Sequence, residues 1–422
     1  MAEADAAELA DAAKMYWAAE GYSEGGVIRE IDYSTQQGGV HPLFKGIKIV
    51  DCDTHITEAP DMFVKRAPAS FKDRVPVMKL DPDGVDRWYI GERNCGTQGG
   101  AVIRHDQNKL LGRLAFPTVD EGHSSAYQMK PRLKMMDEMG IYAQIAFQNS
   151  GITQPATLRA LGDNEAAVMT LRIYNDVCAE YQEESGQRIF SMAHLPYWDR
   201  DAMIAEAHRC VDLGLKGFVL PDKPEMIKVP GYANDWWAPI LELCNDTGMP
   251  INFHINMSID PNQVIWEGFP FQEKLTIYPV MASLGCAATI GNWMVSGLLD
   301  RYPKLKIGLI EAGLGWVPFV LEMYEHQWNE MLPGHSSKFS RRPREYFRDH
   351  FWTTFWFEKN GPQTQLDFVG ADKVLFETDF PHPTCIYPDV QSRLADVLGG
   401  LPFDVRKKLL QDNAATLYNL PF

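Results

Sequence analysis

From residue 131 onward the chain alternates between two hydrophobic patterns. Short apolar runs at Tyr142–Phe147, Arg188–Pro196, Gly217–Leu220, Pro250–Ile255, Lys306–Ala312, Phe351–Phe357 and Lys373–Asp379 predict buried strands. Between them lie longer segments in which apolar residues recur at helical spacing, such as Arg132–Met139, Asp163–Glu184, Asp199–Leu213 and Trp236–Thr247. Gly140, Gly214 and Gly248 follow three of these segments, where a helix needs a residue that tolerates a left-handed turn. With the earlier run Ile47–Val50 the count is eight strands, almost all separated by a helix. Apolar strands joined by helices imply parallel pairing with both faces covered. Eight such units fit a closed (β/α)8 TIM barrel better than an open sheet.

Two stretches fall outside this repeat. Residues 1–46 read as an N-terminal arm, an Ala-rich amphipathic helix through about Glu20 and then a Gly-containing loop. Residues 56–130 interrupt the barrel domain, 47–422, directly after its first strand. Within them Val75–Leu80 and Val85–Ile90 flank Asp81-Pro-Asp-Gly84, which predicts a hairpin. An excursion of this length between two core elements is expected to serve as a lid.

Composition narrows the class of partner. The 422 residues are 45% apolar and 23% charged, with a formal charge of -16. An acidic surface without a basic stripe disfavours nucleic acid. The acidic N-terminus is unlike a signal peptide, and no run reaches the roughly 18 apolar residues that a membrane span needs. Seven scattered cysteines with no C-x-x-C pair imply reduced thiols. The expectation is a cytoplasmic enzyme acting on a small molecule.

The chemistry concentrates where apolar runs end. Ile47–Val50 gives way to Asp51, Asp53 and His55, and residues two apart in an extended chain point the same way. Asp53 and His55 together offer an oxygen and a nitrogen donor, a set that suits zinc, iron or manganese better than magnesium. Barrel enzymes gather their chemistry at the C-terminal strand ends. There the chain places His254, Glu311 and Asp379, with His382 in Thr378-Asp-Phe-Pro-His-Pro383. A lone histidine after an apolar run is usually a hydrogen-bonded core residue; several such ends meeting at one mouth predict a divalent transition metal. His194, at the third strand end, is left out of the donor set.

Several short motifs resemble the amidohydrolase-2 family, which includes aminocarboxymuconate-semialdehyde decarboxylase and the resorcylate-type decarboxylases. They are Asp53-Thr-His55, I-N-F-H ending at His254, E-A-G-L-G-W at Glu311 to Trp316, T-D-F-P-H at Thr378 to His382 and N-A-A-T-L-Y at Asn413 to Tyr418. The resemblance spans roughly residues 47 to 420 and implies a metal-dependent barrel in which Asp53, His55, His254 and Asp379 match the family's metal ligands. Two positions depart from the decarboxylase pattern. Asp53 stands where those enzymes carry His or Glu, and Glu311 where they usually carry a histidine of acid/base chemistry.

Glu311 makes hydrolysis the leading expectation. An anion is a poor neighbour for a carboxylate about to leave as carbon dioxide, and a good acceptor for water. Metal-activated water would then attack an ester, thioester, lactone or amide carbonyl, with Asp379 as general base, alone or with His382. Glu311 would orient the water or bridge to a second ion, for one or two ions per chain. The alternative is nonoxidative decarboxylation of an aromatic or muconate-like acid, with Arg104, Arg113 or Lys223 as candidate cations. A non-catalytic barrel would be expected to have lost a ligand, and all four are present. Phe147, Trp293, Trp316 and Trp356 are the expected substrate contacts, for an aromatic or polycyclic substrate. The apolar helix Gly315–Glu322 predicts a homodimer or higher homo-oligomer.

Overall fold

The structure is a computed structural model that describes residues 26–34, 38–255, 264–334 and 339–422. The helix expected through Glu20 lies outside the described residues. Eight parallel strands carry the fold: β1 (Val50–Ile56), β2 (Ala143–Gln148), β3 (Ile189–Ser191), β4 (Phe218–Val219), β5 (Ile251–His254), β6 (Ile307–Ile310), β7 (Phe351–Phe355) and β8 (Val374–Phe376). They form an α/β structure of two parallel sheets, β1-β2-β3 and β8-β7-β6-β5-β4. Parallel bridges Ala193 to Phe218 and Thr54 to Phe380 join the sheets at both edges.

The first strand begins later than its apolar run implies. Ile47 and Ile49 are buried ahead of it, and the ladder itself spans Val50–Ile56, so the polar residues lie within a wholly buried strand. The third strand is shorter than Arg188–Pro196. The Asn175 side chain accepts from the His194 N–H at 3.0 Å and donates to its carbonyl at 2.9 Å, taking the backbone groups a ladder would use.

Six helices alternate with these strands: α1 (Met129–Met139), α2 (Asn164–Glu184), α3 (Arg200–Asp212), α4 (Ala238–Thr247), α5 (Phe271–Ser296) and α6 (Val317–Met331). Asp163 and Asp199 cap α2 and α3 by accepting from Ala166 N at 3.2 Å and Ala202 N at 3.1 Å. Gly140 and Gly248 end α1 and α4 in the left-handed conformation, as their positions predict. Between the two sheets an apolar cluster of Val50, Ile145, Phe190, Ile310 and Leu375 reaches Leu417 and Tyr418. The N-A-A-T-L-Y helix is part of this plug: Tyr418 donates to Asn252 Oδ1 at 2.8 Å, and Asn413 to the Val374 carbonyl at 2.8 Å.

The hairpin forms as Val77–Leu80 against Asp86–Ile90, and a third antiparallel strand, Arg93–Thr97, takes in Cys95. The stretch 56–130 is tied down rather than loosely hinged. Thr57 N donates to the Ala126 carbonyl at 2.8 Å, Val102 N to the Pro381 carbonyl at 3.0 Å and the buried Lys109 Nζ to the Cys385 carbonyl at 2.5 Å. The described part of the arm, Val27–Arg29, pairs antiparallel with Lys109–Leu111. All seven cysteines are free. Among the described residues no helix is long and apolar enough to cross a membrane.

Candidate metal centre

The C-terminal ends of β1, β5, β6 and β8 converge. Asp53 and His55 project from β1 by the two-residue alternation, and His254 is the last residue of β5. Glu311 directly follows β6 and Asp379 lies three residues beyond β8, both in left-handed backbone, φ 54° and 59°, a conformation non-glycine residues rarely take. Such strained positions gather at functional sites. The seam between the first and last strands is closed by Asp379 N donating to the Asp53 carbonyl at 2.9 Å and His55 N to the Phe380 carbonyl at 2.7 Å.

His254 Nε2 lies 3.1 Å from Asp53 Oδ1, and His55 Nε2 lies 3.5 Å from both Asp53 Oδ1 and Asp379 Oδ1. His382 Nδ1 is 2.9 Å from Asp379 Oδ1, and His254 Nδ1 is 3.9 Å from Glu311 Oε2. Three overlapping sets, Asp53/His55/His254, His55/Asp379/His382 and Asp53/Glu311/Asp379, each hold their donor atoms within 4.8 Å of one another. His55 Nδ1 lies 2.8 Å from the Gln148 carbonyl, which can only accept, so Nδ1 carries the hydrogen and Nε2 turns its lone pair inward.

A divalent cation fits this arrangement. Asp53 Oδ2, His55 Nε2 and Asp379 Oδ1 are buried without a hydrogen-bond partner. Burial, reinforced by the Asp379 charge, pushes the Asp53 and Glu311 carboxyls well above their usual range. Burial likewise drives His55 and His254 down, so both imidazoles stay neutral with lone pairs available. Carboxyls that resist ionising and imidazoles that resist protonating are what a cation among them would relieve.

The aromatic expectations divide. Phe147 is at the site, its ring 4.6 Å from that of His254. Trp293 is not brought there; it packs on Phe253 and Tyr232 at 5.9 and 5.1 Å, and Phe253 faces the opposite side of β5 from His254. Trp316 donates to the Ala312 carbonyl at 2.7 Å, and Trp356 is buried edge-on against Phe357. Arg104 is paired with Asp106 in the 56–130 stretch. His194 stays outside the donor sets: its Nε2 meets Gln148 Oε1 at 2.5 Å, and burial lowers it to about 3.

Glu377 and Arg132 are residues at the centre to which the sequence reading assigns no chemistry, and Asp51, named with Asp53 and His55, takes a supporting part there. Glu377 is wholly buried, accepts from Glu311 N at 3.2 Å and leaves Oε1 without a partner. The alternation that singles out Asp53 and His55 also relates Glu377 to Asp379, so the signal was present. Asp51 accepts from Thr378 N at 2.7 Å and Thr378 Oγ1 at 2.6 Å, tying β1 to β8 beneath the donors. Arg132, fully buried, donates to Gln144 Oε1 at 2.7 Å and the His55 carbonyl at 3.0 Å.

Parallel strands that present imidazoles and carboxylates from their C-terminal ends define an α/β enzyme scaffold built for a divalent metal. The chain belongs to the amidohydrolase family, whose model matches residues 50–420. It is 30% identical over 268 residues to gamma-resorcylate decarboxylase of Rhizobium sp. (strain MTP-10005), covering 59% of this chain and 76% of that protein. Among solved structures it shares the fold of an amidohydrolase from Mycobacterium avium subsp. paratuberculosis K-10, with a TM-score of 0.68, 21% identity and coverage of 88% and 99%. It also shares the fold of a dihydroxybenzoic acid decarboxylase from Polaromonas sp. JS666, solved with manganese and 2-nitroresorcinol, with a TM-score of 0.54, 19% identity and coverage of 89% and 98%. The match to gamma-resorcylate decarboxylase backs the decarboxylase alternative over the leading hydrolase expectation.

Proposed function

We propose that this chain is a metal-dependent nonoxidative decarboxylase of an aromatic carboxylic acid. The observation that carries the reading is its 30% identity to gamma-resorcylate decarboxylase, with Asp53, His55, His254 and Asp379 gathered at one mouth.

In the reaction the bond between ring carbon and carboxylate breaks, its electron pair stays on the ring carbon, and a proton replaces carbon dioxide there. Asp53, His55, His254 and Asp379 would hold the metal. When bound, the metal supplies a positive charge that orients the acid and an adjacent hydroxyl. Glu311 and His382 are the groups placed to deliver the proton, and Asp379 steadies His382. Phe147 offers the apolar wall on which an aromatic ring would lie. We read the eight strands as a closed (β/α)8 barrel over 47–422, the two joining bridges supporting closure, with 1–46 as an arm and 56–130 as a fixed wall of the site.

The test is to load the full chain with manganese and supply 2,6-dihydroxybenzoate and related ortho-hydroxybenzoates. Expected are release of carbon dioxide, loss of turnover on chelation, and bicarbonate-dependent carboxylation of resorcinol in reverse. Ester or lactone hydrolysis with no carboxylation in reverse would return the case to the hydrolase.

A further inference from the structure

Three segments far apart in the chain meet at one side-chain amide. Asn149, buried in the loop after β2, accepts on Oδ1 from Gly100 N at 3.0 Å, and the same oxygen lies 2.9 Å from His382 Nε2. Its Nδ2 donates to the Gly100 carbonyl at 2.9 Å and to Thr57 Oγ1 at 2.6 Å. The Gly100 backbone therefore fixes the amide at both ends. Turned over, it would set N–H against N–H and carbonyl against carbonyl.

With an oxygen facing it, His382 Nε2 has to carry a hydrogen. The ring is thus held with Nε2–H toward Asn149 and Nδ1 toward Asp379 Oδ1, stacked 3.6 Å from the His55 ring. The 56–130 stretch braces this arrangement at close range. A Cβ on Gly100 would stand 2.7 Å from His382 Cδ2, and one on Gly99, at φ +89°, would run into the Asn149 carbonyl.

We propose that Asn149 is a positioning residue for the reaction: it fixes the tautomer and tilt of His382, using Thr57 and Gly100 as its brace. The proposal rests on the reading of His382 as a proton-transferring group. Groups that orient an active-site imidazole typically contribute roughly 10- to 100-fold.

The experiment uses the full chain loaded with zinc and labelled with nitrogen-15 at histidine, so that the low-field imidazole N–H signals can be read. The His382 signal is assigned by its loss in His382→Gln. In the parent it should report a hydrogen on Nε2. Asn149→Ala should lose that signal with zinc content unchanged and the chain still folded, and Asn149→Asp, whose carboxylate still accepts, should keep it. With 2,6-dihydroxybenzoate as probe, Asn149→Ala should lower kcat roughly 10- to 100-fold while moving KM less than about threefold, and Asn149→Asp should recover most of the loss. An Nε2–H signal unaltered in Asn149→Ala, or a parent hydrogen on Nδ1 alone, overturns the proposal. Full turnover in His382→Gln overturns the reading beneath it, and is told apart because the signal still answers to Asn149.

Discussion

Glu58 shows what a buried carboxyl costs when no cation stands by it. Its Oε2 accepts from Ser150 N at 3.0 Å, Oε1 has no partner, and burial raises it from 4.5 to about 7. A carboxyl raised on folding favours the native state while protonated, so the stability it contributes is present below pH 4.5 and is lost as pH climbs through about 7. The rise corresponds to about 3 kcal/mol. Denaturant unfolding of the parent and Glu58→Gln at several pH values checks this: the parent should lose about 3 kcal/mol more than the variant between acid and mild alkali. Equal pH dependence would refute it. The same physics explains what residue identity hid. Asp53 and His55 were legible because alternation puts them on one side of β1, whereas the burial of Glu311 beside Asp379 and His254 was not, since folding alone brings those groups together. Asn149 carries no motif; its part follows from meeting Gly100 and His382, which only folding brings together.

At the scale of elements, strand and helix order was legible because each type has its own apolar period and glycines mark the helix ends. Which side of an element an aromatic faces was not: Trp293 looked like a pocket residue by composition and packs instead on the outer side of β5. The 56–130 stretch was expected to be a lid from length alone. Its backbone bonds to Pro381 and Ala126, and the close passage of Gly99 and Gly100 beside Asn149 and His382, support our proposal that it walls the site. Gly99→Ala therefore has to strain the φ +89° backbone or push Asn149 aside. We expect it to cost about 2 kcal/mol, and a change below about 0.5 kcal/mol in unfolding free energy would show the approach to be looser.

At the scale of the molecule, α5 and α6 meet through Tyr324, which donates to the Ala287 carbonyl at 2.8 Å. Both leave apolar side chains in water, Val280 at 58% and Phe319 at 66% exposed, with Leu284 and Met323 beside them in sequence register. We propose that a second copy covers this face. Light scattering at micromolar concentration should give twice 47.8 kDa for the parent and a single chain for Phe319→Glu. A monomeric parent would exclude it.

The seam between β1 and β8 has a consequence for biosynthesis. Asp53 and His55 leave the ribosome about 320 residues ahead of the Asp379 they face. Until that strand emerges, the nascent polypeptide owns only part of its chelating set, so the full set of donors forms only once β8 has joined β1. A product that terminates ahead of residue 379 would keep Asp53, His55 and His254 and lack both the last carboxylate and the strand that closes the seam.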